Sequence, residues 1–130
     1  MQVNISQEQE KLRAAAREVA QGAIRSRAAD VDRTEEYPWD NVERLKDAGF
    51  LGMTIPKAYG GKDASWLDAV LLIEEMSKVC SVTGRIAVET NMGAVSAIMA
   101  YGSEDQKRFA ADMVLSGDKP AICITEPDAG

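Results

Sequence analysis

The side chains best suited to chemistry lie near the end of the chain, in the apolar run Ile122, Cys123, Ile124 and Thr125. In an extended strand, the two isoleucines face one side and Cys123 and Thr125 face the other, because successive side chains alternate. The free N–H and C=O groups of the strand and the Thr125 hydroxyl could then hydrogen-bond the edge of a flat heterocyclic ligand. The segment is therefore a candidate ligand-binding strand.

The turn after this strand supports the same interpretation and also allows a simpler one. Pro127 has no N–H group, so it interrupts strand pairing and leaves backbone free for a ligand. Gly130 would let the main chain approach a ligand closely. Taken by themselves, however, these residues also fit an ordinary apolar strand followed by a common Pro-Asp turn. Both interpretations stay open at this point.

The rest of the chain offers few residues for catalysis or metal binding. It contains no histidine, which removes Ser-His and Cys-His mechanisms and the commonest general base. Its two cysteines, Cys80 and Cys123, lie far apart without a partner motif, so the sequence predicts neither a disulfide framework nor a zinc site. The acidic clusters are separated and share no predicted pocket. We therefore assign no catalytic residue and no metal ligand.

Composition and charge narrow the classes of partner. Charged residues make up 28% of the chain and the net charge is −6. This acidic balance argues against a nucleic-acid partner, because phosphate binding needs a clustered basic face. No run reaches the roughly 18 apolar residues of a membrane span, and the N-terminus lacks the basic-then-apolar form of a signal peptide. We expect a reducing, cytoplasmic location.

Hydrophobic periodicity predicts a largely helical chain that ends in one strand. The predicted helices cover residues 7–29, 38–48, 65–79, 83–100 and 103–115, and the strand begins at residue 121. Ser65 with Asp68, and Ser103 with Gln106, form plausible capping boxes at two helix starts. The last helix is expected to bury a stripe that includes Phe109. A lone strand cannot satisfy its own backbone groups, so this one implies a partner sheet.

Three segments together resemble the acyl-CoA dehydrogenase family. Residues 124–130 read ITEPDAG and are similar to the family's flavin-binding pattern T-E-P-x-x-G. Residues 51–61, LGMTIPKAYGG, resemble its G-(x)-x-I-P-x-x-Y-G-G segment. Residues 101–107, YGSEDQK, resemble its Y-G-(T/S)-x-x-Q-K segment. The three segments occur in the order of the family and on matching predicted elements.

The resemblance implies a domain organisation and a cofactor. Residues 1–118 would form the family's all-α N-terminal domain of five to six helices, and residues 119–130 would begin its middle β-domain. In the family, a C-terminal four-helix domain follows, FAD lies between that domain and the β-domain, and homotetramers are usual. Carried over by position, the residues in contact with FAD would be Ile122, Cys123, Ile124, Thr125 and Gly130.

The activity implied is α,β-dehydrogenation of an acyl-CoA thioester, with the electrons leaving to an electron-transfer flavoprotein or another acceptor. The catalytic base of the family is a Glu of the C-terminal domain, so no residue of this chain takes that role. By the same resemblance, Glu89 and Gly93 could face the far end of the acyl pocket, where glycine leaves room for a bulkier group. The polar stretch of Glu89, Thr90 and Asn91 could equally serve structural hydrogen bonds.

Two other interpretations of the function remain. The same scaffold supports acyl-CoA oxidases, reductases and desulfinases, which depend on residues beyond Gly130. Alternatively, the chain could be a non-catalytic helical module that binds a partner protein through an exposed apolar patch.

Overall fold

The computed structural model describes residues 4–129 as seven α-helices, numbered here in chain order. They are α1 (Gln7–Val19), α2 (Arg25–Thr34), α3 (Trp39–Asp47), α4 (Trp66–Ser77), α5 (Ser81–Asn91), α6 (Ala94–Tyr101) and α7 (Glu104–Ser116). A π-helical turn, Ala20–Ile24, joins α1 to α2, and a 3₁₀ turn covers Lys57–Tyr59. Within residues 4–129 no strand forms, so the predicted all-α class is confirmed.

Helices α1 and α2 form one continuous helix with the π-helical turn inside it. The predicted first helix therefore extends beyond residue 29, to Thr34. Ala16, Ala20 and Ile24 are completely buried, so one face of this helix packs against the core on both sides of the π-helical turn. The helix ends at Glu35, whose φ of 57° lies in the left-handed region that commonly terminates helices.

Three helices begin with a capping box. The boxes predicted at Ser65 for α4 and at Ser103 for α7 are confirmed, and a third begins α1 at Ser6. In each box, the serine hydroxyl accepts the N–H of the third helical residue, whose side chain accepts the N–H of the serine. These bonds involve only residues three apart, so the helix starts can be recognised from the sequence.

The predicted fourth helix is wrong in one respect, because it breaks into α5 and α6. Met92 is extended, and Gly93 has φ of 60° and ψ of −125°, a conformation that non-glycine residues rarely adopt. The Asn91 side chain stabilises this break through hydrogen bonds to the loop before α4. Its amide donates to the carbonyl oxygen of Phe50 at 2.9 Å, and its oxygen accepts the N–H of Met53 at 2.7 Å. The polar end of α5 therefore serves structural hydrogen bonds.

The hydrophobic core lies between α1, α4 and α5 and is closed by the loop that joins α3 to α4. Leu72 and Met76 of α4 are completely buried, and Ile86 of α5 and Ile55 of the loop are nearly so. Removing this apolar surface from water is the main force that holds the helices together.

A buried carboxylate also ties α1 to α4. Glu75 is 2% exposed and accepts hydrogen bonds from Arg13 Nε at 3.1 Å, Arg17 Nε at 3.0 Å and Lys78 Nζ at 3.1 Å. The hydrogen bond from Arg17, helped by those from Lys78 and Arg13, outweighs the cost of burial and lowers the pKa of Glu75 to about 2. The carboxylate is thus charged and paired inside the helix packing.

After α7 the chain takes no regular structure. Residues 121–129 are exposed, and an isolated antiparallel bridge between Glu126 and Ala129 is the one β-type pairing in the described part. The strand predicted from residue 121 therefore does not form here. A strand needs a neighbouring strand for its backbone groups, and residues 4–129 supply none.

The solvent-exposed faces of α6 and α7 carry large apolar side chains, one of which was predicted to be buried. Phe109, which was predicted to be buried, is 71% exposed, and Tyr101 is 91% exposed. Ala110 and Val114 of the same predicted stripe are buried as expected. Helical periodicity placed the stripe correctly but could not define its width, because Phe109 lies at the margin of the face that meets the rest of the fold.

Candidate functional site

A depression of about 410 Å³ forms where the segment after α7 passes the end of α5 and the start of α6. We call it the tail depression. It is lined by five residues that the sequence analysis singled out, namely Glu89, Gly93, Ile122, Ile124 and Thr125. The fold thus brings the segment predicted to contact the flavin together with the two residues predicted for the acyl pocket.

One predicted site residue within the described range does not line the tail depression. Cys123 is exposed and lies outside its wall, whereas its neighbours Ile122 and Ile124 and also Thr125 contribute to it. The predicted sharing of one face by Cys123 and Thr125 is therefore not observed, because the segment is not a regular strand. Gly130 lies outside the residues that the structure describes.

Gly93 lies at the break between α5 and α6 and is close to the segment that follows α7, which we call the tail. A Cβ atom at this position would lie 3.3 Å from Ile122 Cδ1, which is a tight contact, and the positive φ adds backbone strain for any other residue. The family resemblance implies that this glycine leaves space for an acyl group. The structure shows a backbone reason as well, because the chain turns between α5 and α6 at this residue.

The backbone of the tail is free to meet a ligand. Within the described residues, the N–H and C=O groups of residues 121–125 engage no backbone partner. Together with the Thr125 hydroxyl, they supply donors and acceptors of the kind that pair with the polar edge of a heterocyclic ring. The residues present therefore fit the pyrimidine edge of a flavin.

Glu89 is the central charged group of the tail depression. Its Oε1 accepts a hydrogen bond from Arg85 Nε at 2.9 Å, and its Oε2 pairs with Lys119 Nζ. Partial burial opposes ionisation of the carboxylate, but the hydrogen bonds from Lys119 and Arg85 outweigh it and lower the pKa of Glu89. The group is thus held as a carboxylate, with a separate cation on each oxygen.

Arg85 is a site residue that sequence reasoning missed. It lines the tail depression, and its side chain is 69% exposed. Its Nε faces Glu89, while its two terminal nitrogens meet no acceptor within residues 4–129. The planar edge of a guanidinium is well suited to hold a carboxylate-like anion through two parallel hydrogen bonds. The spacing of four between Arg85 and Glu89 on one helix was a signal that could have suggested the pair.

Lys119 is the second residue that was missed. Its side chain is 22% exposed, and its ammonium lies 5.5 Å from the centre of the Tyr37 ring, within range of a cation–π interaction. Burial, with the negative charges of Glu89 and Asp118, raises the pKa of Tyr37 to about 12, so the phenol stays neutral. No local pattern could have indicated Lys119, because its partners lie on α5 and before α3.

A second concavity, of about 490 Å³, lies between α6 and α7. Its wall is dominated by apolar side chains such as Ile98, Tyr101, Phe109 and Met113 and includes no charged residue. It is the roomier of the two but offers no acid, base or ion pair. The tail depression combines the predicted site residues with the Arg85–Glu89 pair, so we place the candidate chemistry there.

Residues 4–129 contain neither a metal-binding cluster nor a membrane-spanning helix. No group of three His, Cys, Asp or Glu side chains is placed to hold a metal ion there. None of the helices in this range combines the length and the apolar character needed to cross a membrane.

Comparison with known proteins identifies the family. The family model described as "Acyl-CoA dehydrogenase, N-terminal domain" matches residues 6–118. The chain therefore belongs to the acyl-CoA dehydrogenase family, and the resemblance found in its three sequence segments is confirmed.

Individual relatives cover nearly the whole chain. A 3-sulfinopropanoyl-CoA desulfinase of Variovorax paradoxus is 60% identical over 119 residues, which is 92% of this chain and 30% of that protein. A short-chain-specific acyl-CoA dehydrogenase of Clostridium acetobutylicum is 36% identical over 131 aligned positions, covering all of this chain and 35% of that protein.

The fold is also that of a solved relative. The crystal structure of an acyl-CoA dehydrogenase from Geobacillus kaustophilus superposes with a TM-score of 0.88 at 27% identity, over 100% of this chain and 34% of that one. The chain thus spans about a third of the length of the relatives that it matches.

Proposed function

We propose that this chain is the N-terminal helical part of a longer FAD-dependent enzyme that removes the sulfino group of 3-sulfinopropanoyl-CoA. The observation that carries the proposal is the 60% identity to a desulfinase of that name, against 36% to a short-chain acyl-CoA dehydrogenase. The division of the chain would follow the family, with residues 1–118 in the helical domain and residues 119–130 at the start of the β-domain.

The tail would hold one edge of the cofactor. Ile122, Ile124 and Thr125 line the tail depression with free backbone groups. Cys123, between the two isoleucines, and Gly130, after the Pro-Asp turn, would complete the contact. Bound FAD would supply the electron-accepting ring against which the acyl-CoA lies. The remaining walls of that site would come from the parts of the relatives that this chain does not span.

The acyl end of the substrate would lie at the α5 wall of the tail depression. Glu89 and Gly93 would border it, and the free edge of Arg85 would meet the charged end of the acyl group. A sulfinate carries one negative charge on two oxygens, which matches the two parallel donors of a guanidinium. A hydrocarbon acyl group carries no charge that could pair with the guanidinium of Arg85. The presence of this cation in the wall therefore favours an anionic substrate.

The test is the release of sulfite by the full-length polypeptide that contains this chain. Desulfination can be written R–SO₂⁻ + H₂O → R–H + HSO₃⁻, which needs no external electron acceptor. We expect sulfite from 3-sulfinopropanoyl-CoA in the absence of any acceptor. Reduction of an acceptor dye with butyryl-CoA, together with no sulfite from the sulfinate substrate, would contradict the proposal.

α,β-Dehydrogenation of an acyl-CoA is the second candidate, favoured by the two relatives that carry the dehydrogenase name. The base would then come from outside this chain, and the electrons would pass to an electron-transfer flavoprotein or another acceptor. A homotetramer and a cytoplasmic location would accompany either activity. The dye and sulfite measurements above separate the two candidates in a single experiment.

A further inference from the structure

We infer that Lys119 is a positioning residue, which keeps Arg85 available to an anionic acyl group by occupying one oxygen of Glu89. The inference rests on the proposed function, since it concerns how the same wall selects its substrate. It adds a residue from the segment after α7 to a wall whose other charged residues, Arg85 and Glu89, lie on α5.

The two carboxylate oxygens of Glu89 pair with different residues. The carboxylate has two oxygens, and each has its own cation, Arg85 on Oε1 and Lys119 on Oε2. Arginine and carboxylate often pair through two parallel hydrogen bonds. If Oε2 were vacant, the guanidinium of Arg85 could turn so that its two terminal nitrogens, and no longer Nε, engage the two oxygens of Glu89. Those nitrogens form its free edge, which would then be unavailable to the acyl group. Lys119 prevents this by filling the second position.

The charge of the wall leads to the same expectation. Glu89 with Arg85 and Lys119 carries one negative and two positive charges, so the group as a whole is positive. Without Lys119 the remaining pair would be neutral. Attraction between the wall and an anion would then weaken, by an amount that depends on how well solvent screens the exposed Arg85.

Lys119 is held in place by two contacts. Its ammonium pairs with Glu89 and lies 5.5 Å from the centre of the Tyr37 ring. It does not line the tail depression, whereas Glu89 and Arg85 do. Its effect on a bound acyl group must therefore pass through Glu89, which is why we assign it a positioning role and not a direct contact.

The experiment compares an anionic with a neutral acyl-CoA on the full-length, FAD-loaded protein. Dissociation constants are measured for succinyl-CoA and butyryl-CoA, which have acyl chains of equal length. The variants are Lys119→Gln and Lys119→Arg, with Lys11→Gln as the matched control. Lys11 also pairs with a glutamate, but on the exposed face of α1 and outside the lining of the tail depression.

For Lys119→Gln we expect the affinity for succinyl-CoA to fall about tenfold, equivalent to about 1.4 kcal/mol, with butyryl-CoA affinity unchanged. Lys119→Arg should restore most of the loss, because it keeps the charge on Oε2. Lys11→Gln should leave both constants as they are. Equal losses for the two ligands, or no loss for either, would overturn the inference.

A double variant separates positioning from direct contact. In Glu89→Gln/Lys119→Gln the carboxylate that would capture Arg85 is gone, so the preference for succinyl-CoA should return towards that of the wild type. A double variant as weak as Lys119→Gln alone would show that Lys119 touches the anion itself and would overturn the positioning role. Failure of the wild type to prefer succinyl-CoA would also overturn it.

These outcomes distinguish a failure of this inference from a failure of the desulfinase proposal. A wild-type protein that prefers succinyl-CoA but releases no sulfite would refute the proposed reaction and leave the role of Lys119 intact. If the wild type releases sulfite and the Lys119→Gln variant keeps the full preference for succinyl-CoA, the role of Lys119 is refuted and the proposed reaction stands.

Discussion

Gly93 combines a backbone requirement with a close packing contact. Its positive φ lets the chain turn between α5 and α6, and the missing side chain leaves room for Ile122 of the tail. Gly22 provides a contrast, because it lies in the π-helical turn with nothing near the position of a Cβ atom. The same change at the two glycines should therefore have opposite effects.

We predict that Gly93→Ala lowers the free energy of unfolding by about 1–3 kcal/mol, the cost of holding a non-glycine residue in a sparsely populated conformation. Gly22→Ala should raise it by about 0.5–1 kcal/mol, because alanine restricts the unfolded chain and favours helix. Urea unfolding of both variants measures the difference. A Gly93→Ala protein as stable as Gly22→Ala would mean that the break between α5 and α6 tolerates a side chain.

At the scale of elements, the packing of α1 on α4 includes a charged group. Glu75 is buried among Arg13, Arg17 and Lys78, and hydrogen bonds from these cations lower its pKa from the ordinary 4.5 to about 2. Because the folded state binds the proton more weakly than the unfolded state, the carboxylate stabilises the fold above pH 4.5. That contribution disappears as the pH falls through about 2.

Replacement of Glu75 by Gln should lower the free energy of unfolding at neutral pH by about 1–3 kcal/mol, as expected for hydrogen bonds between charged groups. The gap between wild type and variant should narrow steadily as the pH falls from 5 towards 2. Glu8→Gln is the control, because that carboxylate is 81% exposed and pairs with Lys11 alone in the described part. Parallel acid denaturation curves for wild type and Glu75→Gln would show that folding does not lower the pKa of Glu75.

At the scale of the whole molecule, we propose that the chain presents one edge of a cofactor site. Free backbone groups of residues 121–125 are exposed, and the chain spans about a third of the length of its relatives. A ligand bound at a single open edge buries little surface, whereas tight cofactor sites enclose most of the ligand.

We therefore expect the isolated 130-residue chain to bind FAD weakly or not at all, while the full-length polypeptide retains it through purification. The ratio of flavin absorbance to protein concentration measures both. Stoichiometric, yellow FAD on the isolated chain would show that the tail and helices alone form the site.

The parts of the fold that could be predicted depend on local chemistry. Ser65 and Ser103 begin helices through bonds to residues three positions away, so these starts were recognisable. The break at Gly93 was not, because Asn91 supports it through contacts to Phe50 and Met53, which are distant in sequence. The exposure of Phe109 was missed for a related reason, since only the packed fold decides which side of α7 meets the core.

The sequence by itself determined the family and the helical class, because those follow from short motifs and periodicity. The same motifs predict the segment that a flavin would contact. The tertiary structure alone brought that segment beside α5, where Glu89 holds a cation on each oxygen. The physical reason is that a charge cluster depends on distances across the fold. Arg85, Glu89 and Lys119 acquire a shared role only when α5 and the chain after α7 lie side by side.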